Sequence, residues 1–291
     1  MAIKKLPYSF KGKLSYERYS EVVKRVKRFN RYKSIGKDES KTFDMYCIQL
    51  GNSNKPTILI TAGMHGTEWM GTQYSLNFME QLRDGTYPDK KFRDNLLTKF
   101  NIAYIPVVNP YGYNRTDPHA RIKGRYNVNG ADLNRDFHKF EQVESRNVKA
   151  VMDDLKPFSY LDCHMMAPKV DGSLAYKHMM FGNGQHATTQ IRDYIADMME
   201  LHMNRKIDRW PPYTNMQIGL SRRYMRDSKN PYTQYTLAYI SEFYRPVDDG
   251  DGKLKSPLSY KEIHTFGMTS IYLFLATSAE YYRTRKQSFK L

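Results

Sequence analysis

Short apolar runs of β type alternate with segments of helical period along nearly the whole chain, and this alternation constrains the fold most strongly. In SYERYSEVVKRVKRFNRY, residues Tyr16, Tyr19, Val22, Val23, Val26 and Phe29 recur at helical spacing and predict an amphipathic helix. FDMYCIQLG and TILITAG read as strands. The turn residues NSNKP between them predict a hairpin or neighbouring strands. TEWMGTQYSLNFMEQL returns to the helical period, and NIAYIPVVNP is a buried-type strand stopped by Pro110. A helix (SRNVKAVMDDLKP), two strands (SYLDCHM, LAYKHMMFG), a helix (TTQIRDYIADMMELHMNR), a strand (LAYISEFY) and a long helix (YKEIHTFGMTSIYLFLATSAEYYR) follow. This order predicts an α/β protein with a mixed, mostly parallel twisted sheet and helices on both faces. No repeat, low-complexity tract or linker interrupts it, so residues 1–291 are expected to form one domain, with its core over about 14–280. Residues 111–133 and 206–232 lack a period, and irregular stretches of that length in a compact domain predict function.

Composition narrows the classes. Two cysteines, Cys47 and Cys163, sit in apolar runs, which predicts packed, reduced thiols and argues against a disulfide framework or a thiolate metal cage. MAIKKLPYSFKGK has no apolar h-region and no run approaches the length of a membrane span, so a cytoplasmic protein is expected. The net charge of +16 is uneven, with 13 Lys and Arg against 4 Asp and Glu in residues 1–41. Such charge attracts nucleic acid, anionic polymer or acidic substrate, but no nucleic-acid motif accompanies it. The simplest reading is a solvated helix face.

Chemistry enters at ILITAGMHGTEWMGT, where a strand-like run stops at Gly63 and His65 and Glu68 follow. Three residues apart on a helical turn, an imidazole and a carboxylate project to one side and can converge on one ion. The pair alone is commonplace. His164 also ends an apolar run, and in open α/β sheets functional groups gather at the carboxyl ends of strands. Two histidines and a glutamate form one of the catalytic zinc sets. GRYNVNGADLNRDF concentrates Arg125, Asn134 and Arg135 in the long loop. Guanidinium and amide groups grip carboxylates, and an arginine can face a forming oxyanion. In LAYISEFY, alternation puts Tyr239, Ser241 and Phe243 on one face and Ile240, Glu242 and Tyr244 on the other. A glutamate in such a strand is costly unless paired or working, and a general base for zinc-activated water is one such role. Taken singly, each of these residues has an ordinary structural explanation.

Together they resemble the zinc metallocarboxypeptidases of the carboxypeptidase A and B type, over roughly residues 14–280. GMHGTEWMGT is similar to the His-x-x-Glu ligand motif, NPYGYNRT to an Asn-Pro-Asp-Gly-Tyr turn, and DCH and ISEFY to the segments of the third ligand and the catalytic glutamate. NGADLNRDF, close to Gly-Val-Asp-Leu-Asn-Arg-Asn-Phe, is the most specific piece. The resemblance implies one zinc ion on His65, Glu68 and His164, with Glu242 as general base and proton shuttle. It implies that Asn134 and Arg135 bind the substrate's terminal carboxylate and that Arg125 polarises the scissile carbonyl. Departures are Tyr111 at the turn aspartate, Thr67 where an arginine often lies between the first two ligands, and Met165 and Met166 after His164. The family's mobile tyrosine is expected within 206–232, with Tyr213, Tyr224 and Tyr232 as candidates. No pro-segment precedes the first helix, which predicts no activation by cleavage.

The expected activity is hydrolysis of a C-terminal peptide bond in a peptide or muropeptide. Arg222 or Arg223 in GLSRRYM would form a pocket base favouring acidic or cell-wall-type C-terminal residues. The alternatives are a zinc-dependent deacylase of N-acyl amino acids on the same scaffold and a non-catalytic binding module.

Overall fold

The computed structural model describes residues 11–182, 186–209, 217–228 and 236–288. Its strands are β1 Tyr32–Lys37, β2 Asp44–Gly51, β3 Thr57–Ala62, β4 Asn101–Ile105, β5 Ser159–Met166, β6 His178–Phe181, β7 Ile207–Arg209 and β8 Leu237–Tyr244. Its helices are α1 Tyr19–Val26, α2 Trp69–Asp84, α3 Lys90–Lys99, α4 Pro110–Arg115, α5 Val143–Leu155, α6 His186–Met203, α7 Ser221–Asp227 and α8 Tyr260–Ser288. The strands form one sheet in the order β1-β2-β4-β3-β5-β8-β6-β7. β3 runs parallel to β4 and β5, β5 to β8, and β6 to β7. The pairs β1–β2, β2–β4 and β6–β8 are antiparallel. The α/β class with a mixed sheet is therefore as the sequence predicts.

The expected pairing of β2 with β3 is not formed. β4 lies between them, antiparallel to β2 and parallel to β3. The NSNKP turn permits a hairpin, but β3 is buried at every position and gains two parallel partners in the sheet's interior. The two irregular stretches also hold short elements, α4 in the first and β7 and α7 in the second.

Alternate strand residues divide the core in two. Ile58, Ile60, Leu161, Cys163, Leu237 and Tyr239 pack in the larger cluster, with apolar residues of α1, α2, α3, α6 and α8. Leu59, Tyr160 and Ala238 face the other side, under Val148, Val151 and Met152 of α5 and Met225 of α7. That second cover is short. Beyond Tyr160 and Ala238 the same face continues as Asp162 and His164 on β5, and as Ile240 and Glu242 on β8. A chemical site thus opens where the smaller core ends, at the carboxyl ends of the central parallel strands.

Both cysteines are buried and free. Of the basic amino-terminal segment, Arg25 is fastened to Glu17, Gln73, Asn77 and Glu80, while Lys27 and Arg28 are exposed. Among the described residues, no helix is long and apolar enough to cross a membrane.

Candidate active site

β3 ends at Ala62, and Gly63 turns the chain with a φ of +62°, a conformation that costs glycine least. The turn Gly66–Glu68 then feeds α2. A methyl group on Gly66 would stand 2.2 Å from the backbone of Gly112 and Tyr113, so the ligand-bearing turn lies directly on α4. Asn109 caps α4 by accepting a hydrogen bond from the Gly112 amide, and its own amide donates to the Arg125 carbonyl. One residue therefore secures both the platform under His65 and Glu68 and the loop that carries Arg125.

The structure brings His65, Glu68 and His164 together, all buried, with ligand atoms within 4.8 Å of one another. Glu68 Oε1 lies 2.8 Å from His65 Nδ1, and Oε2 lies 3.0 Å from His164 Nδ1. Those spacings approach the roughly 3.3 Å ligand–ligand edge of a tetrahedral zinc site. Oε2 also accepts a hydrogen bond from the Met165 amide at 2.9 Å. Each imidazole turns its far nitrogen to another carboxylate, His65 Nε2 to Asp132 at 2.9 Å and His164 Nε2 to Asp162 at 3.0 Å. An ionised carboxylate only accepts, so it favours the tautomer with the proton on the Nε2 it faces. Both Nδ1 atoms are then the ones to offer a lone pair. This outer arrangement is the one that orients zinc-binding histidines, and the donor set fits the metal.

The charges fit as well. Burial would raise the Glu68 carboxyl, but the imidazoles of His65 and His164 hold it well below the usual carboxylate range. Burial would lower the His164 imidazole, but Asp162 and Glu68 push it well above its usual range.

A cleft of about 450 Å³ opens over this trio. Arg125, Asn134, Arg135, Arg222, Tyr176 and Glu242 reach it, so the trio, Arg125, Asn134, Arg135 and Glu242 all line one cleft. Glu242 is the register partner of His164 on the neighbouring parallel strand, and the two project to the same face. Burial raises its carboxyl above the usual 4.5, against the lowering effect of His164. Arg125 donates to Asp132 at 3.0 Å and lies 3.5 Å from Glu68 Oε1. The Asn134 side-chain oxygen Oδ1 accepts from the Ser221 backbone amide at 3.1 Å. Met166 and Met179 line the cleft with Ile240, while the Met165 side chain packs into the larger core on the opposite face.

Three expectations need correction or completion. Tyr224 is turned away from the cleft, donating to Asp153 and packing against Phe140, because α7 presents that side to α5. Tyr213 and Tyr232 lie outside the described residues. Of the two arginines expected at the pocket base, Arg222 lines the cleft, while Arg223 faces Asp227 one turn along its own helix. Thr67 is buried and its hydroxyl stays short of the cleft lining. Asp132 and Asp162, which orient the two histidines, were not singled out in the sequence. Their signal was present: Asp162 stands two residues before His164 on one strand face, and Asp132 two residues before Asn134.

The loops around the cleft form one framework. Arg245 is buried and donates to the carbonyls of Ala120 and Arg121. Arg121 donates in turn to the Pro168 carbonyl and to Asp249. Exposed apolar side chains stand on these and adjoining loops, among them Ile122, Tyr126, Val170, Leu174, Tyr176 and Ile218.

Comparison with known proteins agrees with this geometry. The sequence pattern of the Zinc carboxypeptidase family matches residues 16–205, a stretch that holds His65, Glu68, Arg125, Asn134, Arg135 and His164 but not Glu242 or the arginines of α7. Carboxypeptidase E of Caenorhabditis elegans is 36% identical over 94 residues, covering 31% of this chain and 20% of that protein. An inactive metallocarboxypeptidase, ECM14 of Ajellomyces capsulatus, is 25% identical over 146 residues, covering 46% of this chain and 24% of that protein. The chain thus aligns with about a quarter or less of the length of these two relatives. A metallo-carboxypeptidase structure from Burkholderia cenocepacia shares the fold, with a TM-score of 0.69 and 16% identity over 92% of this chain and 70% of that one. With that pattern matched over most of the chain, and the metal trio and arginine-bearing loop inside it, the chain belongs to the zinc carboxypeptidase family.

Proposed function

We propose that the protein is a zinc-dependent metallocarboxypeptidase that removes the C-terminal residue of a peptide, using one zinc ion held by His65, Glu68 and His164. The observation that carries this reading is the joint presentation of two Nδ1 atoms and one carboxylate, with each far nitrogen secured by an aspartate, in a cleft that also holds Glu242. Bound zinc would supply Lewis acidity, polarising a carbonyl and lowering the pKa of water toward about 7. Glu242, on the strand beside His164, accepts the proton of the attacking water and passes it to the leaving amine. Arg125 faces the developing oxyanion with a fixed charge. Asn134 and Arg135 grip the terminal carboxylate and set where the chain ends.

Arg222 supports a preference for acidic or cell-wall-type C-terminal residues. It is 7% exposed, lines the cleft and lies close enough to Glu242 to lower its pKa. A substrate carboxylate is the complementary group for such a buried guanidinium. Arg222→Met is expected to cost about 2 kcal/mol or more, roughly 30-fold, in kcat/KM on peptides ending in Glu. Turnover of peptides ending in Phe should change little. Equal losses on both, or wild-type turnover of Phe peptides at or above that of Glu peptides, would remove the preference.

The exposed apolar side chains on the loops around the cleft, of which Tyr176 lines the cleft itself, support a polypeptide substrate over a small N-acyl amino acid. Release of free amino acids from peptides by zinc-loaded protein, abolished by a chelator, tests the main reading. Hydrolysis confined to N-acyl amino acids would favour the deacylase alternative. The inactive relative gives the binding-module reading its basis, and the presence of Glu242, Arg125 and the complete metal trio weighs against it.

A further inference from the structure

Asp162 is 1% exposed, and each of its oxygens is engaged. Oδ1 accepts from the Thr61 hydroxyl at 2.8 Å. Oδ2 is shared, lying 3.0 Å from His164 Nε2 as an ion-pair partner and accepting from the Ser221 hydroxyl at 2.6 Å. Ser221 is the first residue of α7, is 1% exposed, and precedes Arg222. Its amide donates to Asn134 at 3.1 Å. One serine thus touches the carboxylate that orients a metal ligand and the amide that would bind substrate, and it begins the helix that brings Arg222 to the cleft.

We infer that Asp162 and Ser221 form a latch that makes metal affinity and assembly of the substrate pocket interdependent. The inference rests on the zinc reading above. Asp162 is a positioning residue. It keeps the proton of His164 on Nε2 and the lone pair of Nδ1 toward Glu68, and outer partners of this kind are worth about 10–100-fold in metal affinity. Ser221 fixes that carboxylate from the α7 side. When α7 is docked, Oδ2 is held toward the imidazole. When a metal fixes His164, Oδ2 stays in place to receive Ser221. Coupling between two sites is reciprocal, so zinc should order α7 just as docked α7 should favour zinc. An asparagine at 162 breaks the latch from the other end. Its N–H₂ must face a group that now donates, and where it faces Nε2 the imidazole proton moves to Nδ1 and blocks the ligand position.

Two readouts test this on the full-length protein. Zinc affinity by chelator competition should fall about tenfold in Ser221→Ala and between about 10- and 100-fold in Asp162→Asn. Amide hydrogen exchange should show zinc slowing residues 221–227 as well as residues 62–68 in the wild type. In Ser221→Ala the slowing at 221–227 should be lost and that at 62–68 kept. A serine that merely packs α7 would lower the unfolding temperature with unchanged zinc affinity. Asp162→Asn, nearly isosteric, carries the test if Ser221→Ala folds poorly. Affinities within twofold of wild type in both variants, or equal zinc protection of 221–227 with and without the hydroxyl, would overturn the latch. If zinc binds the wild type but protects only 62–68, the latch fails alone. If zinc does not bind the wild type, the zinc reading and the latch fail together.

Discussion

Glu242→Gln is expected to lower kcat by about 10²–10⁴ while the protein still binds zinc, because the amide keeps the shape of the carboxylate but cannot take a proton. Glu242 is not among the three residues whose donor atoms converge, so metal stoichiometry should stay at one ion in the variant. The pH profile gives a second signature. Burial raises the Glu242 carboxyl above the usual 4.5, and the base works only when ionised. Activity should therefore fall as pH drops through a midpoint above the ordinary glutamate range, and Glu242→Gln should lack that limb. Retained activity in Glu242→Gln, with zinc bound, would assign the proton transfers to another group. Loss of zinc would instead make Glu242 a metal-site residue.

The second large effect belongs to the metal. His65→Ala should reduce zinc affinity by more than the roughly 100-fold that loss of an outer partner can cost, since it removes a ligand atom outright. Asp132→Asn, which alters only the group behind that histidine, should fall in the range of about 10–100-fold. The wild-type unfolding temperature should rise with added zinc, because a ligand that binds only the folded state stabilises it. The His65→Ala temperature should not. The contrast matters because His65 and Glu68 are also spaced as an ordinary i,i+3 pair. If His65→Ala kept wild-type zinc content, the pair would be structural and the metal would sit elsewhere.

Local spacing made much of this site readable. His65 and Glu68 are three residues apart, and Asn134 and Arg135 are adjacent within a distinctive loop. Glu242 follows from simple alternation along β8, and its placement opposite His164 in the sheet agrees with that reading. What the sequence hid depends on pairing at long range. Nothing local says that β4 inserts between β2 and β3, because strand order is decided by which buried faces match across the sheet. Edge strand β1, YKSIGK, is polar and mostly exposed, so it lacks the apolar run by which the interior strands are recognised. Helices α4 and α7, of six and seven residues, are too short to show a period. The aspartates were missed for the same reason. Asp132 meets a histidine 67 positions away. Asp162 reads as a costly buried acid until Thr61, His164 and Ser221 are seen to satisfy it.

The most direct measurement is mass spectrometry of a mixed peptide and muropeptide library incubated with the zinc-loaded protein. Products one residue shorter at the C-terminus, enriched for substrates ending in an acidic residue and absent in the presence of a chelator, are the predicted result. Internal cuts, cleavage of N-acyl amino acids alone, or an unchanged library despite bound zinc would contradict it.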